Sequence, residues 1–300
     1  SRGLGDVYKR QIYRCSLTPT RSLLEERCPM TLSTIRNNPA KQKKVKTKKQ
    51  KAIAATCAVA FWLLVWHVVS LCVGSELVLV SPVKVVQTLF TVIFDPDFLK
   101  TVWYSAAHIL GGFFTALTLG TVLGWVASRF WVVETLLRPI TAAIKATPVA
   151  SFIILVLLWF SGKNLSVIIS MLMVFPVIYM NVLEGIRSAD EKLLEMAQVF
   201  RLSVGKKLLY IYLPAVAPFF VSACSVSLGL CWKSGIAAEV IGVPDFSIGA
   251  NLYEAKIYLD TASLFAWTLS IILIASCFEK ILLRLMTAAG GKGNTVHEKQ

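Results

Sequence analysis

Long apolar stretches alternate with shorter polar ones along most of the chain. Most of these stretches hold the roughly 20 residues that a helix needs to cross the hydrocarbon core of a bilayer. They cover residues 52–73, 106–127, 148–160, 165–186, 215–240 and 262–286. The third stretch is short by itself, and the mixed segment 131–145 precedes it. The pattern predicts an all-α integral membrane protein with about six transmembrane helices.

The composition agrees with a membrane protein and argues against a soluble domain. Of the 300 residues, 56% are hydrophobic and only 16% are charged, and the mean hydropathy is +0.66. The net charge of +14 raises the question of nucleic acid, but much of it lies in one basic run, residues 41–51, before the first apolar stretch. Such a run is typical of a cytoplasmic anchor attracted to anionic lipid by roughly 1 kcal/mol per basic residue. We therefore expect the lipid bilayer, and not nucleic acid, as a partner.

The chain divides into four parts by composition. Residues 1–29 show no periodicity and begin with a stretch that resembles a non-native addition, so we interpret them as a non-native or disordered leader with Met30 as the native start. Residues 30–51 are predicted to form a basic cytoplasmic tail, and residues 288–300 a second one. Residues 52–287 form the predicted transmembrane domain.

Lysine and arginine are more frequent in the loops that would share a side with the N-terminus. These loops lie around residues 129–145 and 187–207, and the end at 280–299 adds more basic residues. The opposite loops carry fewer of them. The positive-inside rule then predicts that both termini, and the polar loop 187–213, lie in the cytoplasm.

A short amphipathic helix is predicted within this loop. The apolar residues between positions 189 and 200 are spaced by three and four, which places them on one face of a helix. They are Leu193, Leu194, Met196, Ala197 and Phe200. From this pattern alone, the helix could equally lie on the bilayer surface or contact a soluble partner.

The loop resembles the cytoplasmic loop of the membrane subunits of ATP-binding cassette (ABC) importers that use a binding protein. The pattern of that family is Glu-Ala-Ala, three residues, Gly, nine residues, Ile, any residue and Leu-Pro. The residues that match it at the required spacing are Glu195, Ala197, Ile211, Leu213 and Pro214. Met196 replaces the first Ala of the pattern, and Arg201 replaces its Gly.

Weaker resemblances follow the order of the same family from about residue 77 to residue 283. Val80-Ser81-Pro82, Trp159-Phe160-Ser161-Gly162 and the segment from Trp232 to Glu239 are similar to the nitrate, sulfonate and taurine branch. The resemblance implies a type I permease fold in a bacterial plasma membrane. The implied function is the transmembrane subunit of an ATP-driven importer that takes a small solute of this class into the cytoplasm.

The resemblance also implies partners and a set of coupling residues. ATP-binding cassette subunits would bind ATP and Mg and hydrolyse the ATP, an extracytoplasmic solute-binding protein would deliver the solute, and a second copy of the chain would complete the path. No cofactor is expected in this chain. The loop would be the coupling helix that docks in a cleft of the ATP-binding subunit, with these residues: Leu193, Leu194, Glu195, Met196, Ala197, Phe200, Arg201, Gly205, Ile211, Leu213 and Pro214.

Arg201 departs from the family pattern where a glycine would permit a turn with positive φ. We expect either that the turn uses ordinary dihedral angles or that Gly205 absorbs the bend. Pro214 is expected to open the next span, because a proline in the first turn of a helix removes no intrahelical donor.

Lys233 and Glu239 are the notable ionisable residues of the fifth stretch. They are six positions apart and do not share a helical face. Charges at membrane depth often face a cavity, so one or both residues are candidates for the translocation path or gate. Alternatively, both lie near the outer end, and Lys233 extends its amine to water.

No motif of an enzyme or a metal site is present. The sequence contains no phosphate-binding Gly-x-x-x-x-Gly-Lys-Ser/Thr motif, no Gly-x-Ser-x-Gly motif and no cysteine or histidine cluster with metal-ligand spacing. We therefore expect a transport subunit and not an enzyme. The main alternative is a stand-alone secondary transporter or channel, which predicts paired charges at mid-span or repeated broken helices. A membrane-anchored interaction protein would leave the later spans unexplained.

Overall fold

The computed structural model describes residues 48–290, and the side chains of residues 53–285. Residues 48–55 form the opening turns of the first helix, and residues 56–290 form a helical body. No β-strand occurs in the described part of the chain. The expectations for the leader, for most of the basic tail and for the end of the C-terminal tail concern residues 1–47 and 291–300, which lie outside it. The helices are α1 (Lys48–Val73), α2 (Pro82–Ile93), α3 (Phe98–Arg129), α4 (Trp131–Ala146), α5 (Val149–Leu157), α6 (Gly162–Arg187), α7 (Glu191–Val199), α8 (Val204–Lys207), α9 (Leu213–Gly242), α10 (Ile248–Ile257) and α11 (Thr261–Gly290), with a π-helical turn at Leu208–Tyr212.

Five helical segments within residues 48–290 are long and apolar enough to cross a membrane. They are Ile53–Val73, Phe98–Arg129, Gly162–Arg187, Val204–Gly242 and Thr261–Leu285. The predicted third span, residues 148–160, is wrong as a single helix, because α5 has only 9 residues and covers roughly 14 Å. Thr147 before Pro148 is extended, as a residue before proline prefers, and α4 and α5 meet there at 106°.

The bent pair of α4 and α5 carries the chain from one end of the bundle to the other. At the end where α6 stops, Glu134 of α4 bonds Arg187. At the opposite end, Gly162 at the start of α6 lies against Gly242. We name these the α7 end and the α10 end. The chain must cross between Arg129 and Gly162, so the pair forms a broken span and the predicted number of about six spans is confirmed.

The core lies where α3 and α9 both pack against α6 and also contact each other, for example at Ile109 and Cys231. The innermost apolar side chains come from all three helices: Ile109, Phe113, Val174, Ile178, Leu228 and Trp232. Gly120 and Gly124 of α3 face α6, where a Cβ atom on Gly120 would lie 3.0 Å from Ile178 Cβ. Such small residues allow helix backbones to approach closely in a bilayer, where burial of apolar surface provides no drive for association. The glycine pair therefore serves packing within one chain.

Two shorter helices at the α10 end were not predicted from the apolar pattern. Ser81 caps α2 and Pro82 is its first residue, which is a favoured arrangement for a helix start. Ser247 caps α10 through a 3.0 Å hydrogen bond from the Ala250 N–H to its hydroxyl. α2 packs against α11, and α10 packs against both α9 and α11.

Gly120→Leu is expected to lower the stability of the protein, because the Cβ atom alone would already lie 3.0 Å from Ile178 Cβ and the rest of the side chain would have no space. Overpacking of this kind costs about 1–3 kcal/mol. Gly111→Leu is the matched control, since Gly111 lies on the same helix and a Cβ atom added to it would meet nothing within 4 Å beyond the nearby backbone of its own helix. Thermal unfolding of the purified protein in detergent measures the difference. Equal unfolding midpoints for the two variants would contradict the assigned contact.

Candidate coupling site

The loop between α6 and α9 contains the predicted short helix, α7, over Glu191–Val199. Asp190 has extended backbone geometry and accepts a 2.9 Å hydrogen bond from the Lys192 N–H through Oδ1. Glu191 adds a negative charge in the first turn, where the helix dipole favours it. A polar cap and an acidic first turn thus begin α7, which only three residues, 188–190, separate from the end of α6.

α7 ends in a turn that uses Arg201 in the left-handed conformation, with φ of 48°. The Leu202 N–H donates to the Ala197 carbonyl at 2.9 Å, and the Arg201 N–H donates to the Gln198 carbonyl at 3.0 Å. These bonds form a Schellman motif, in which the left-handed position is usually glycine. Both expectations for this turn were wrong: Arg201 itself adopts the positive φ, and Gly205 lies in α8 with an ordinary φ.

The spacing predicted that the apolar residues of α7 share one face, and this was wrong. They divide between a buried face and an exposed one. Ala197 is completely buried against Ile211, and Leu194 is partly buried in the same cluster. Leu193, Met196 and Phe200 are exposed, with 43%, 46% and 71% of their surface accessible. We name these three residues the exposed patch. One face therefore holds α7 to its own chain, and the other remains free in the monomer.

Beyond the Schellman turn, the chain enters a helical path that runs from Val204 into α9. Ile211 is buried in the π-helical turn, whereas Leu213 and Pro214 are exposed. Pro214 has no N–H to donate to the carbonyl four residues before it. The π-helical turn lies just before this proline, and the Leu213 N–H donates to the Leu208 carbonyl, five residues back. Pro214 therefore lies in the first turn of α9, as predicted, but the helical path begins before it. Glu195 is exposed on the polar face of α7.

An ion-pair cluster at the α7 end was missed in the sequence. Glu134 at the start of α4 is buried, and its Oε2 accepts a 2.5 Å hydrogen bond from Arg187, the last residue of α6. Its Oε1 accepts a 3.2 Å bond from Arg138 one turn along α4. The spacing of Glu134 and Arg138 signals a helical ion pair, but nothing in the sequence connects them to Arg187. This cluster fixes the point from which the loop departs.

The two ionisable residues of α9 occupy different environments. Lys233 is exposed, whereas Glu239 is completely buried. Glu239 Oε2 accepts hydrogen bonds from the Ser105 hydroxyl at 2.7 Å and from the Gly249 N–H at 3.2 Å. The prediction that they lie on different faces is confirmed. The structure brings neither residue to the loop between α6 and α9, because both lie toward the α10 end of α9.

A helical bundle with several spans and a capped helix between two of them defines a multi-pass membrane protein. Comparison with known proteins gives its class. The profile of the binding-protein-dependent transport system inner membrane component matches residues 116–288. The chain belongs to this family, whose members are transport permease subunits.

Similar relatives come from several bacteria. The chain is 28% identical over 77% of its length and 84% of the relative to the putative aliphatic sulfonates transport permease protein of Bacillus subtilis (strain 168). It is 26% identical to the taurine transport system permease protein of Escherichia coli (strain K12), over 71% of this chain and 80% of that one. It is 24% identical to the nitrate import permease protein of Synechocystis sp. (strain ATCC 27184 / PCC 6803 / Kazusa), over 68% of this chain and 77% of that protein.

These matches confirm the predicted nitrate, sulfonate and taurine branch of ABC importer permeases. The chain is the transmembrane permease subunit of an importer in the inner membrane. The alternative of a stand-alone secondary transporter or channel receives no support from them.

Arg201→Gly is expected to stabilise the end of α7 by about 1 kcal/mol, because glycine adopts a positive φ without the cost that a side chain brings. Hydrogen exchange at the Leu202 amide, which donates to Ala197, measures the effect locally. Arg201→Ala is the control, since it removes the charge and keeps the Cβ atom. If the alanine variant slows exchange as much as the glycine variant, the cost arises from the arginine side chain and not from its backbone conformation.

Proposed function

We propose that the loop from α7 to the start of α9 couples this permease to separate ATP-binding cassette subunits. The observation that carries the proposal is the exposed patch on a helix that is capped at both ends and anchored by Ala197. A helix held in this way moves as a unit with α6 and α9. A partner that takes Leu193, Met196 and Phe200 into a cleft would bury their apolar surface. Removing apolar surface from water is favourable by about 25 cal/mol per Å2.

The same proposal requires the α7 end to face the cytoplasm, where ATP is available. The basic residues support this orientation, because Arg129, Arg138, Arg187 and Lys192 all lie at or near the α7 end. Both chain termini would then be cytoplasmic. ATP and Mg would be bound, and ATP hydrolysed, by the partner subunits, and a solute-binding protein would deliver the solute at the α10 end.

We further propose that the solute is a small anion carrying an oxyanion group. The names of the three relatives refer to sulfonates, taurine and nitrate, which share such a group. Lys233 is exposed on a face of α9 that also exposes Ser222 and Val226. Facing a second copy of the chain across a path, this amine would attract an anion that enters from the α10 end.

The double substitution Met196→Ser and Phe200→Ser is expected to reduce ATP-dependent uptake in proteoliposomes at least tenfold. Its physical reason is the loss of apolar surface that the ATP-binding subunit would bury, so co-purification with that subunit should fall as well. Thermal stability should change little, because both side chains are exposed. Gln198→Ser on the polar face is the matched control.

Two outcomes would contradict the coupling proposal. If the double variant co-purifies and transports normally, the patch serves another contact, such as the bilayer surface. If the purified chain moves solute without ATP-binding subunits, the importer mechanism itself fails.

Lys233→Met is expected to reduce uptake of nitrate or taurine about tenfold, which corresponds to the loss of about 1.4 kcal/mol of attraction. Lys163→Met is the control, because Lys163 is an exposed lysine at the α10 end of α6. Uptake is measured with radiolabelled solute at equal amounts of assembled complex. Unchanged uptake in the Lys233 variant would remove this lysine from the path and would favour an amine that extends to the lipid headgroups.

A further inference from the structure

One helical path connects the coupling loop to the α10 end of the protein. It runs from Val204 through the π-helical turn to Gly242, a segment of 39 residues, which corresponds to roughly 58 Å at the rise of an α-helix. Its first residue follows the Schellman turn of Arg201 closely, and its last turn carries Glu239. A single helical path therefore joins the end of the loop that carries α7 to the opposite end of the bundle.

At that opposite end, Glu239 joins three helices through one carboxyl oxygen. Oε2 accepts a 2.7 Å bond from the Ser105 hydroxyl of α3 and a 3.2 Å bond from the Gly249 N–H of α10. The Ser105 oxygen in turn accepts a 2.9 Å bond from the Ile248 N–H. The first N–H groups of a helix have no partner within the helix, so α9 and α3 together satisfy the start of α10.

Close packing makes this junction tight. A Cβ atom on Gly249 would lie 2.6 Å from the Val240 nitrogen, so no side chain fits between α10 and α9 there. Glu239, Ser105 and Ile248 are all completely buried. The start of α10 is thus held by backbone contact and by buried hydrogen bonds, and it has little freedom to move apart from α9.

The carboxyl group also lies beside α6. The buried hydroxyl of Ser166 on α6 is near it, so the junction adjoins α6 as well as α3 and α10.

α10 forms one wall of a cleft at this end of the protein. The cleft has a volume of about 620 Å3 and lies between the start of α3, the turn after α9 and α10. Asp95 lines one side of it, and Asn251 and Glu254 of α10 line another. Any movement of α10 changes the shape of this cleft.

We propose that Glu239 is a positioning residue that transmits the movement of α9 to α10. In the proposed importer, on which this inference rests, the nucleotide state of the ATP-binding subunits would set the position of α7, and the junction would convert it into the shape of the cleft. Because coupling between two sites is reciprocal, a ligand at the cleft would influence the ATP-binding subunits through the same residue. In this role Glu239 links α9 to α10 and does not itself bind the solute.

The test measures the width of the cleft in the assembled complex with ATP-binding subunits in lipid nanodiscs. Spin labels on Asp95→Cys before α3 and on Tyr253→Cys of α10, in a background with the other exposed cysteines changed to serine, report the distance between α10 and the opposite wall of the cleft. The distance is compared without nucleotide and with ATP and vanadate. In the protein with Glu239 and Ser105 unchanged, the distance between the two spin labels is expected to differ between the two conditions.

Glu239→Leu is expected to abolish that shift while ATP hydrolysis by the complex stays within about twofold. Glu239→Gln keeps an oxygen that accepts from Ser105 and Gly249, so it is expected to retain the shift. Ser105→Ala adds no volume and removes the link to Ile248, and it is expected to reduce the shift even if the leucine variant fails to assemble. Glu254→Gln is the control, because Glu254 lines the cleft and lies outside the junction.

Different results would overturn the inference. A normal shift in Glu239→Leu or in Ser105→Ala shows that α10 follows α9 without the junction. Parallel loss of ATP hydrolysis and of the shift in both variants shows a structural role only. Absence of ATP hydrolysis in the complex before any substitution contradicts the proposed function and not the junction.

Discussion

The close contacts of α6 with α3 and with α9 form the centre of the helical body and position the loop that joins α6 to α9. In a bilayer, apolar side chains gain nothing by leaving lipid for protein, so helices associate through dispersion contacts that require short distances between backbones. Glycines supply these distances: Gly120 and Gly124 face α6 from α3, and Gly235 lies where the side chains of Ile109 and Ser170 meet. α6 is accordingly the most enclosed of the candidate spans, since 56% of the residues in its most apolar stretch are buried.

The loop that carries α7 takes its position from these contacts, since it joins α6 to α9. Arg187 is fixed at the end of α6 by Glu134, and Ala197 of α7 packs on Ile211 just before α9. A short helix attached at both sides has few independent movements. Force applied to the exposed patch would therefore act on two packed spans at once, which is what a mechanical connection between a soluble subunit and a membrane helix requires.

The spans and α7 could be predicted from the sequence because both depend on local patterns. An apolar run of about 20 residues and apolar positions spaced by three and four are properties of a single helix. The pairing of Glu134 with Arg187 could not be predicted, since it joins residues 53 positions apart. The same holds for the division of the α7 face, because periodicity shows which residues lie together and not which of them the next segment covers. The conformation of Arg201 was missed for a different reason: intrinsic preference argues against a positive φ, and the two hydrogen bonds of the turn outweigh it.

The separation of Lys233 and Glu239 illustrates why ionisable residues in a span cannot be treated as one class. Their spacing places them on different helical faces, and the environment then decides what each can do. Glu239 lies beside donors that belong to the protein, the Ser105 hydroxyl and the Gly249 amide, so one oxygen of its carboxyl group is already engaged. Lys233 points away from the packed core of its own chain, so its amine must find a partner outside it: a headgroup, a second copy or a passing anion. Burial among donors of the same chain thus favours a role in positioning, whereas exposure at membrane depth favours a role in recognition.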